Sequence, residues 1–142
     1  MNSATATLPE QLEQSVSRLA QVLLREGGPG LSRSAASVLH RLATAGPQRV
    51  TELAAWESVA QPSATALVGR LEGQGLVTRG ADPDDARAVR VSITSDGEEL
   101  LAVRRRARAE SLGARIAALE AGERSTLAAA VPLLERLAEA RS

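Results

Sequence analysis

Between Leu8 and Arg25 the apolar residues Leu8, Leu12, Val16, Leu19 and Leu23 recur every three or four positions, which puts them on one stripe of a helix. Gly27, Gly28, Pro29 and Gly30 then break the pattern. A second helix is predicted from about Ser32 to Thr44, with Ala35, Val38, Leu39 and Leu42 facing inward, and Gly46-Pro47 ends it. Gln48 to Val50 reads as a very short extended piece. Thr51 has the chemistry of an N-cap for a short helix from Glu52 to about Glu57, carrying Leu53 and Ala54. After the tight connection Ser58 to Gln61, Pro62 is tolerated in the first turn of a helix that runs to about Gln74 and stops at Gly75. Two helices joined by so short a turn form a helix-turn-helix pattern.

Two runs rich in β-branched residues follow, Leu76 to Arg79 and Val89 to Thr94, separated by turn formers from Gly80 to Arg87. In the second run Val89, Val91 and Ile93 alternate with Arg90 and Ser92, the period of a half-buried strand. The pair reads as a β-hairpin placed directly after the helix-turn-helix, in other words a wing. Ser95 and Glu98 have the spacing of a capping box for a helix from roughly Asp96 to Ala118. A last helix, about Ala121 to Ala140, carries Leu127, Val131, Leu134 and Leu137 on one stripe, and Pro132 should kink it or leave one carbonyl without its usual partner.

The fold class expected is therefore mainly α (α+β): a winged helix-turn-helix with N- and C-terminal helices forming a dimerisation region. The divisions are residues 1–31 for the N-terminal dimerisation helix, 32–95 for the winged motif (recognition helix about 61–75, wing about 76–94), and 96–142 for the C-terminal linker and dimerisation helices. The stripes formed by Leu8, Leu12 and Val16 and by Leu127, Val131, Leu134 and Leu137 exceed what a small winged motif can cover, so burial against a second copy is expected. Packing of the two helices on each other within one chain is the competing arrangement.

At 100° per residue, Ala64, Leu67, Val68 and Leu71 fall on the core side of the helix after the turn. Pro62, Thr65, Ala66, Gly69, Arg70 and Gly73 fall opposite, with Ser63 at the flank. That outer side is small and hydroxylated with one long cation, the character needed to enter a major groove without being held off the bases. Its N-terminus should present free amides to a phosphate. Gly69 and Gly73 each weaken a helix by about 1 kcal/mol against alanine, which a close approach to a ligand would explain. Arg87 stands at the hairpin tip and Arg90 points outward on the next strand, so an arginine could reach the minor groove while the helix occupies the major one. Asp85 is placed to hold the Arg87 guanidinium by an ion pair.

Composition sharpens this picture in a few places. The 142-residue chain is 44% hydrophobic but has one aromatic residue, Trp56, so aliphatic side chains must build the core. It has no cysteine, which excludes disulfides, thiolate metal sites and thiol redox sensing. Net charge is zero, so bulk charge gives no support to nucleic-acid binding. All 17 cations are arginine, a bias that GC-rich coding produces as readily as selection for phosphate and guanine contacts. Residues 1–10 lack the basic start and apolar run of a signal peptide, and no apolar stretch reaches bilayer-spanning length, so a cytoplasmic location with no membrane partner is expected.

The stretch from Leu53 through Gln61-Pro62-Ser63 and Leu71-Glu72-Gly73-Gln74-Gly75-Leu76-Val77, then Asp82-Pro83-Asp84-Asp85-Ala86-Arg87 and Val91-Ser92-Ile93-Thr94, resembles the MarR family of bacterial regulators. The wing pattern, Asp85-x-Arg87 followed after five residues by Ile93-Thr94, is the specific part, and the flanking helices fall in the family order. The resemblance implies a homodimeric repressor whose terminal helices interlock and whose wings and recognition helices each read half of a near-palindromic double-stranded DNA operator. Carried over position by position, Gln61, Pro62, Ser63, Thr65 and Arg70 match the recognition-helix contacts and Arg87 the wing contact. Ala66 and Arg90 join them on the residue-level reading alone. Ala60, Ala66, Gly69 and Ala86 depart from the family's usual residues and leave the operator sequence open. The resemblance also implies a small, apolar or phenolic effector, here with Leu19, Leu23, His40 and Trp56 as lining residues.

Other chemistries find little support. His40 is the lone histidine, mid-helix beside Leu39, and no nucleophile-elbow or phosphate-loop motif occurs, so neither catalysis, a cofactor nor a metal centre is expected. Asp82, Asp84 and Asp85 lack the downstream glycine and glutamate of a calcium loop and read as a turn. Arg104, Arg105, Arg106 and Arg108 spread around a helix, which favours ion pairs or solvation over one phosphate-binding stripe. The main rival is a winged-helix module that binds protein and not DNA.

Overall fold

The structure, a computed structural model, describes residues 6–26, 28 and 30–139. The elements run α1 (Leu8–Glu26), α2 (Arg33–Ala45), β1 (Gln48–Arg49), α3 (Val50–Glu57), α4 (Gln61–Gly73), β2 (Val77–Ala81), β3 (Val89–Ile93), α5 (Ser95–Ala117) and α6 (Ala121–Glu139). This is the mainly α winged helix-turn-helix that the pattern predicts. Of the break expected over 27–30, Gly27 and Pro29 lie outside the described residues, as does the expected end of the last helix at Ala140.

The chain divides into two compact units, residues 28–106 and residues 1–27 with 107–142. The division falls inside α5, whereas the sequence places it at residue 96. The reason is that the first turns of α5 belong to the winged core: Gly97 and Arg104 are buried, and Leu100 and Leu101 pack against it.

In the winged unit, Ser32 caps α2 by accepting a hydrogen bond from the Ala35 N–H at 3.1 Å. Gly46 closes it with φ 78°, donating its N–H to the Leu42 carbonyl at 3.1 Å. The inward residues read from the helical period are the buried ones: Ala35, Val38, Leu39 and Leu42 on α2, Leu53 and Ala54 on α3, and Ala64, Leu67, Val68 and Leu71 on α4. Removing side chains of this size from water contributes about 1.5–3 kcal/mol each for the larger ones. The sheet has order β1-β3-β2, antiparallel throughout, with Val77 opposite Ile93 and Arg79 opposite Val91. Val91 is fully buried, while Val89 is exposed, because it pairs with Ala81 at the turn end of the hairpin.

Two helix starts differ from expectation by a residue or two. The N-cap of α3 is Arg49, not Thr51, since Gln48 and Arg49 pair with β3 and Glu52 Oε2 accepts the Arg49 N–H at 2.6 Å. For α5, Thr94 and not Ser95 supplies the capping hydroxyl, accepting the Gly97 N–H at 3.1 Å and donating to the Gly75 carbonyl at 2.6 Å. Arg104, expected to be solvated or ion-paired, is buried and donates to the Gly28 carbonyl at 2.7 Å.

In the other unit, Glu26 at the end of α1 accepts from Ser111 and from Arg115 on α5, the latter at 2.6 Å. Neither α1 nor α6 has a buried residue among those described. α6 runs through Pro132 as one helix.

Candidate nucleic-acid interface

The core packing of α4 fixes which side it can show. With Ala64, Leu67, Val68 and Leu71 buried, Gln61, Pro62, Ser63, Thr65, Ala66, Gly69, Arg70 and Gly73 are all exposed. The structure therefore brings the proposed recognition residues onto one accessible flank. The helix starts with Pro62 in its first turn and with Ala60 as N-cap, which offers no side-chain hydrogen bond. Its free amides are fewer than expected. Pro62 has no N–H, and those of Ser63 and Ala64 both donate to the Ala60 carbonyl, at 3.0 and 3.2 Å. The Thr65 hydroxyl donates back to the Gln61 carbonyl at 2.9 Å, leaving its lone pairs outward.

The glycines of this flank are not explained by the protein's own packing. A Cβ at Gly73 would meet nothing within 4 Å, and one at Gly69 would meet only Arg79 Nη2 at 3.7 Å, an ordinary contact.

At the hairpin, Arg87 is exposed and has no side-chain ion pair among the described residues. The expected Asp85–Arg87 ion pair is replaced by a backbone contact: Asp85 Oδ1 accepts the Arg87 N–H at 3.0 Å, and the Ala88 N–H donates to the Asp85 carbonyl at 2.9 Å. Asp85 thus shapes the tip as an Asx-type turn and leaves the guanidinium to solvent. Arg90 is held differently. The Asp82 side chain, entirely removed from solvent, accepts from Arg49 Nε at 2.7 Å and from the Asp84 N–H at 2.9 Å, while Arg90 Nε sits 3.2 Å from the same carboxylate. Arg90 Nη2 also reaches Asp84 Oδ2 at 3.3 Å. The Asp84 N–H, followed by Arg49 and Arg90, holds the Asp82 carboxyl at about 2, below its usual 3.8, against the opposing effect of burial. The same hydrogen bond and charge raise the Arg49 guanidinium pKa. Arg90 is thereby part of the clamp at the base of the wing.

Sequence reasoning missed this clamp because Arg49 and Asp82 lie 33 positions apart and belong to no periodic pattern. It also missed Arg79, whose guanidinium lies against α4 beside Gly69 and whose Nε is 3.7 Å from Glu72 Oε1. The period of two, read from the buried Val77, would have put Arg79 on the helix-facing side of β2.

Leu19 and Leu23 belong to one compact unit, His40 and Trp56 to the other. His40 is exposed. Trp56 is covered on one side by Arg41, 4.5 Å from the ring centroid, and donates Nε1–H to Ser37 Oγ at 3.3 Å, where Ser37 in turn donates to Glu57. A cleft of about 200 Å³ in the winged unit is lined by Ser32, Ser34, Glu57, Val59, Ser63, Leu67 and Arg70. No described helix is long and apolar enough to cross a membrane.

Comparison with known proteins agrees with this geometry. The sequence profile of the MarR family matches residues 31–89, which span the helix-turn-helix and most of the wing. An HTH-type transcriptional regulator of Mycobacterium bovis is 36% identical over 140 residues, covering 98% of each chain. A crystal structure of a protein from Pseudomonas aeruginosa, described as a transcriptional regulator, is 35% identical with TM-score 0.82, covering 99% of this chain and 100% of the other. The crystal structure of the transcriptional regulator Tm0710 of Thermotoga maritima gives 27% identity and TM-score 0.80, over 91% and 94%. The fold, the exposed flank of α4 and the arginine-bearing wing thus coincide with full-length similarity to these regulators, and the chain belongs to the MarR family of winged helix-turn-helix, DNA-binding transcriptional regulators.

Proposed function

We propose that this regulator is a repressor that binds a near-palindromic operator as a homodimer, with Gln61, Pro62, Ser63, Thr65, Ala66 and Arg70 at the bases and phosphates of the major groove and Arg87 in the adjoining minor groove. The observation that carries the reading is the exposed, small-residue flank of α4, where two glycines have room for a Cβ yet carry none. Affinity comes mainly from phosphate contacts and sequence choice from the helix. Repression follows by occupying promoter DNA in competition with polymerase. Arg90, tied to Asp82 and Asp84, acts by fixing the wing's base.

The dimer is supported by what α1 and α6 leave in solvent. Leu8, Val16 and Leu19 on α1 and Leu127, Val131, Leu134 and Leu137 on α6 are all exposed, and Leu12 is half-buried. A second copy would cover these stripes and set two reading heads about one DNA turn apart, roughly 34–36 Å. An effector, apolar or phenolic as the family resemblance implies, would release the operator by binding better to a dimer with another spacing.

The test is Arg87→Ala. A protein that remains folded should lose affinity for duplex, and the salt slope of log K should flatten by about 0.9 for each phosphate no longer neutralised. Unchanged affinity and slope would favour the rival reading, a winged module that binds protein.

A further inference from the structure

We propose that Arg79 is an additional phosphate-binding residue of the duplex interface, kept against the recognition helix by Glu72 until DNA takes over that partner. The inference rests on the duplex-binding reading above and adds a contact outside the residues assigned to it.

Strand geometry explains how a residue of the wing comes to lie at the recognition helix. Arg79 is opposite Val91 in the register of β2 and β3, and Val91 is fully buried. Directly paired residues of an antiparallel ladder share a face, as do alternate residues of one strand, so Arg79 stands on the helix-facing side with Val77. A charged residue there must carry its head out of the core along its aliphatic stem. The guanidinium emerges over the outer part of α4, where its Nη2 lies 3.7 Å from the position of a Gly69 Cβ. That is the same flank that presents Thr65, Ala66 and Arg70.

The four arginines around the hairpin are not equivalent. Arg49 and Arg90 are fastened to Asp82, whose side chain is fully buried. Arg79 has only a 3.7 Å approach of its Nε to Glu72 Oε1, too long for a hydrogen bond, with both side chains over a third exposed. A pair of this kind contributes little to stability and is readily exchanged. A phosphate group between helix and wing can accept two parallel hydrogen bonds from a guanidinium, one on each of two oxygens, which the distant Glu72 carboxylate does not. Glu72 would then be both placeholder and competitor, since its negative charge also repels the duplex.

The experiment uses full-length protein and a duplex recovered from a randomised pool by the wild type. Affinity is measured against salt concentration for wild type, Arg79→Met, Arg79→Lys and Glu72→Gln. Arg79→Met keeps the packed stem and removes the charge. It should weaken the selected duplex and a base-substituted duplex by the same factor and reduce the salt slope by about 0.9 for each copy engaged. Arg79→Lys should restore the slope, and Glu72→Gln should tighten binding. A wild type that selects no duplex defeats the duplex-binding reading and this inference together. A wild type that binds while Arg79→Met leaves the slope unchanged defeats this inference alone, as would a Met variant whose loss differs between the two duplexes.

Discussion

Replacing Gly69 by alanine separates the needs of the protein from those of its target. Gly69 is in the body of α4, four residues before its end, on the exposed flank. Within the protein a methyl group there costs nothing sterically, because the nearest atom outside the helix's own backbone is Arg79 Nη2 at 3.7 Å, an ordinary van der Waals distance and the end of a mobile side chain. The helix gains about 1 kcal/mol from the smaller conformational freedom of alanine, which for a chain of this size raises the melting temperature by about 2–4 °C. On duplex the sign reverses. If the flank closes on the groove, the methyl meets packed atoms, and overfilling of a packed contact costs about 1–3 kcal/mol, or roughly a 5- to 150-fold loss of affinity per half-site. The assay pairs urea denaturation with duplex titration at one salt concentration. Gly113→Ala, on α5 with nothing within 4 Å of its Cβ, serves as control and should stabilise without weakening DNA binding. A Gly69→Ala protein that is more stable and binds as tightly as wild type would refute the claim that this flank approaches the bases.

Two further expectations concern the joints of the winged unit. A Cβ at Gly97 would clash with the Leu76 carbonyl oxygen and lie 2.7 Å from Ile93 Cγ1, so Gly97→Ala should destabilise by about 1–3 kcal/mol or more, read as a lower urea midpoint at unchanged slope. Asp82, with its carboxyl depressed from 3.8 to about 2, contributes stability that is fully present above pH 3.8 and is lost as the pH falls through about 2. Acid unfolding of wild type should therefore contain a component in that window that Asp82→Asn lacks, and identical acid profiles would count against the clamp.

The elements were readable wherever one residue's burial repeats at a fixed period. Val38, Leu39 and Leu42, like Leu67, Val68 and Leu71, announce a helix face because burial selects aliphatic side chains at every third or fourth position. What escaped was set by contacts distant in sequence or by single residues of ambiguous chemistry. Thr94 and Ser95 are both competent caps, and only the nearby Gly75 carbonyl, which takes the Thr94 hydroxyl hydrogen, decides between them. Val89 has the right parity but lies beyond the helices that would cover it. Arg104 was counted as polar surface because arginine usually is, although it is buried against a backbone carbonyl, and Arg79, whose guanidinium lies over α4 beside Gly69, was not singled out. The candidate site was legible for its α4 flank and for Arg87. Its charge network was not, since Asp82 meets Arg49 and Arg90 only once the hairpin has formed.

These fastenings bear on how recognition can adapt to an operator. The base of the wing is tied to the start of α3 by Arg49–Asp82 and to itself by Arg90, while β1 pairs with β3 at Gln48–Val91 and Arg49–Arg90. The end of α4 is tied to the start of α5 by the Thr94 hydroxyl on Gly75 and by the Thr94 N–H on the Leu76 carbonyl at 3.0 Å, with Gly97 admitting the close approach. Displacing the start of α3 against the wing would take from the fully buried Asp82 carboxylate its shorter ion pair, to Arg49 at 2.7 Å, and loss of a partner to a buried charge is costly. Helix and wing therefore move as one body, and fit to a given sequence must come from the exposed tip at 84–87 and from the spacing between copies. On the proposed dimer, an effector that leaves the winged unit internally unchanged can still abolish operator binding by altering the distance between two rigid heads, and disruption of the Asp82 clamp should impair DNA binding even where the dimer stays intact.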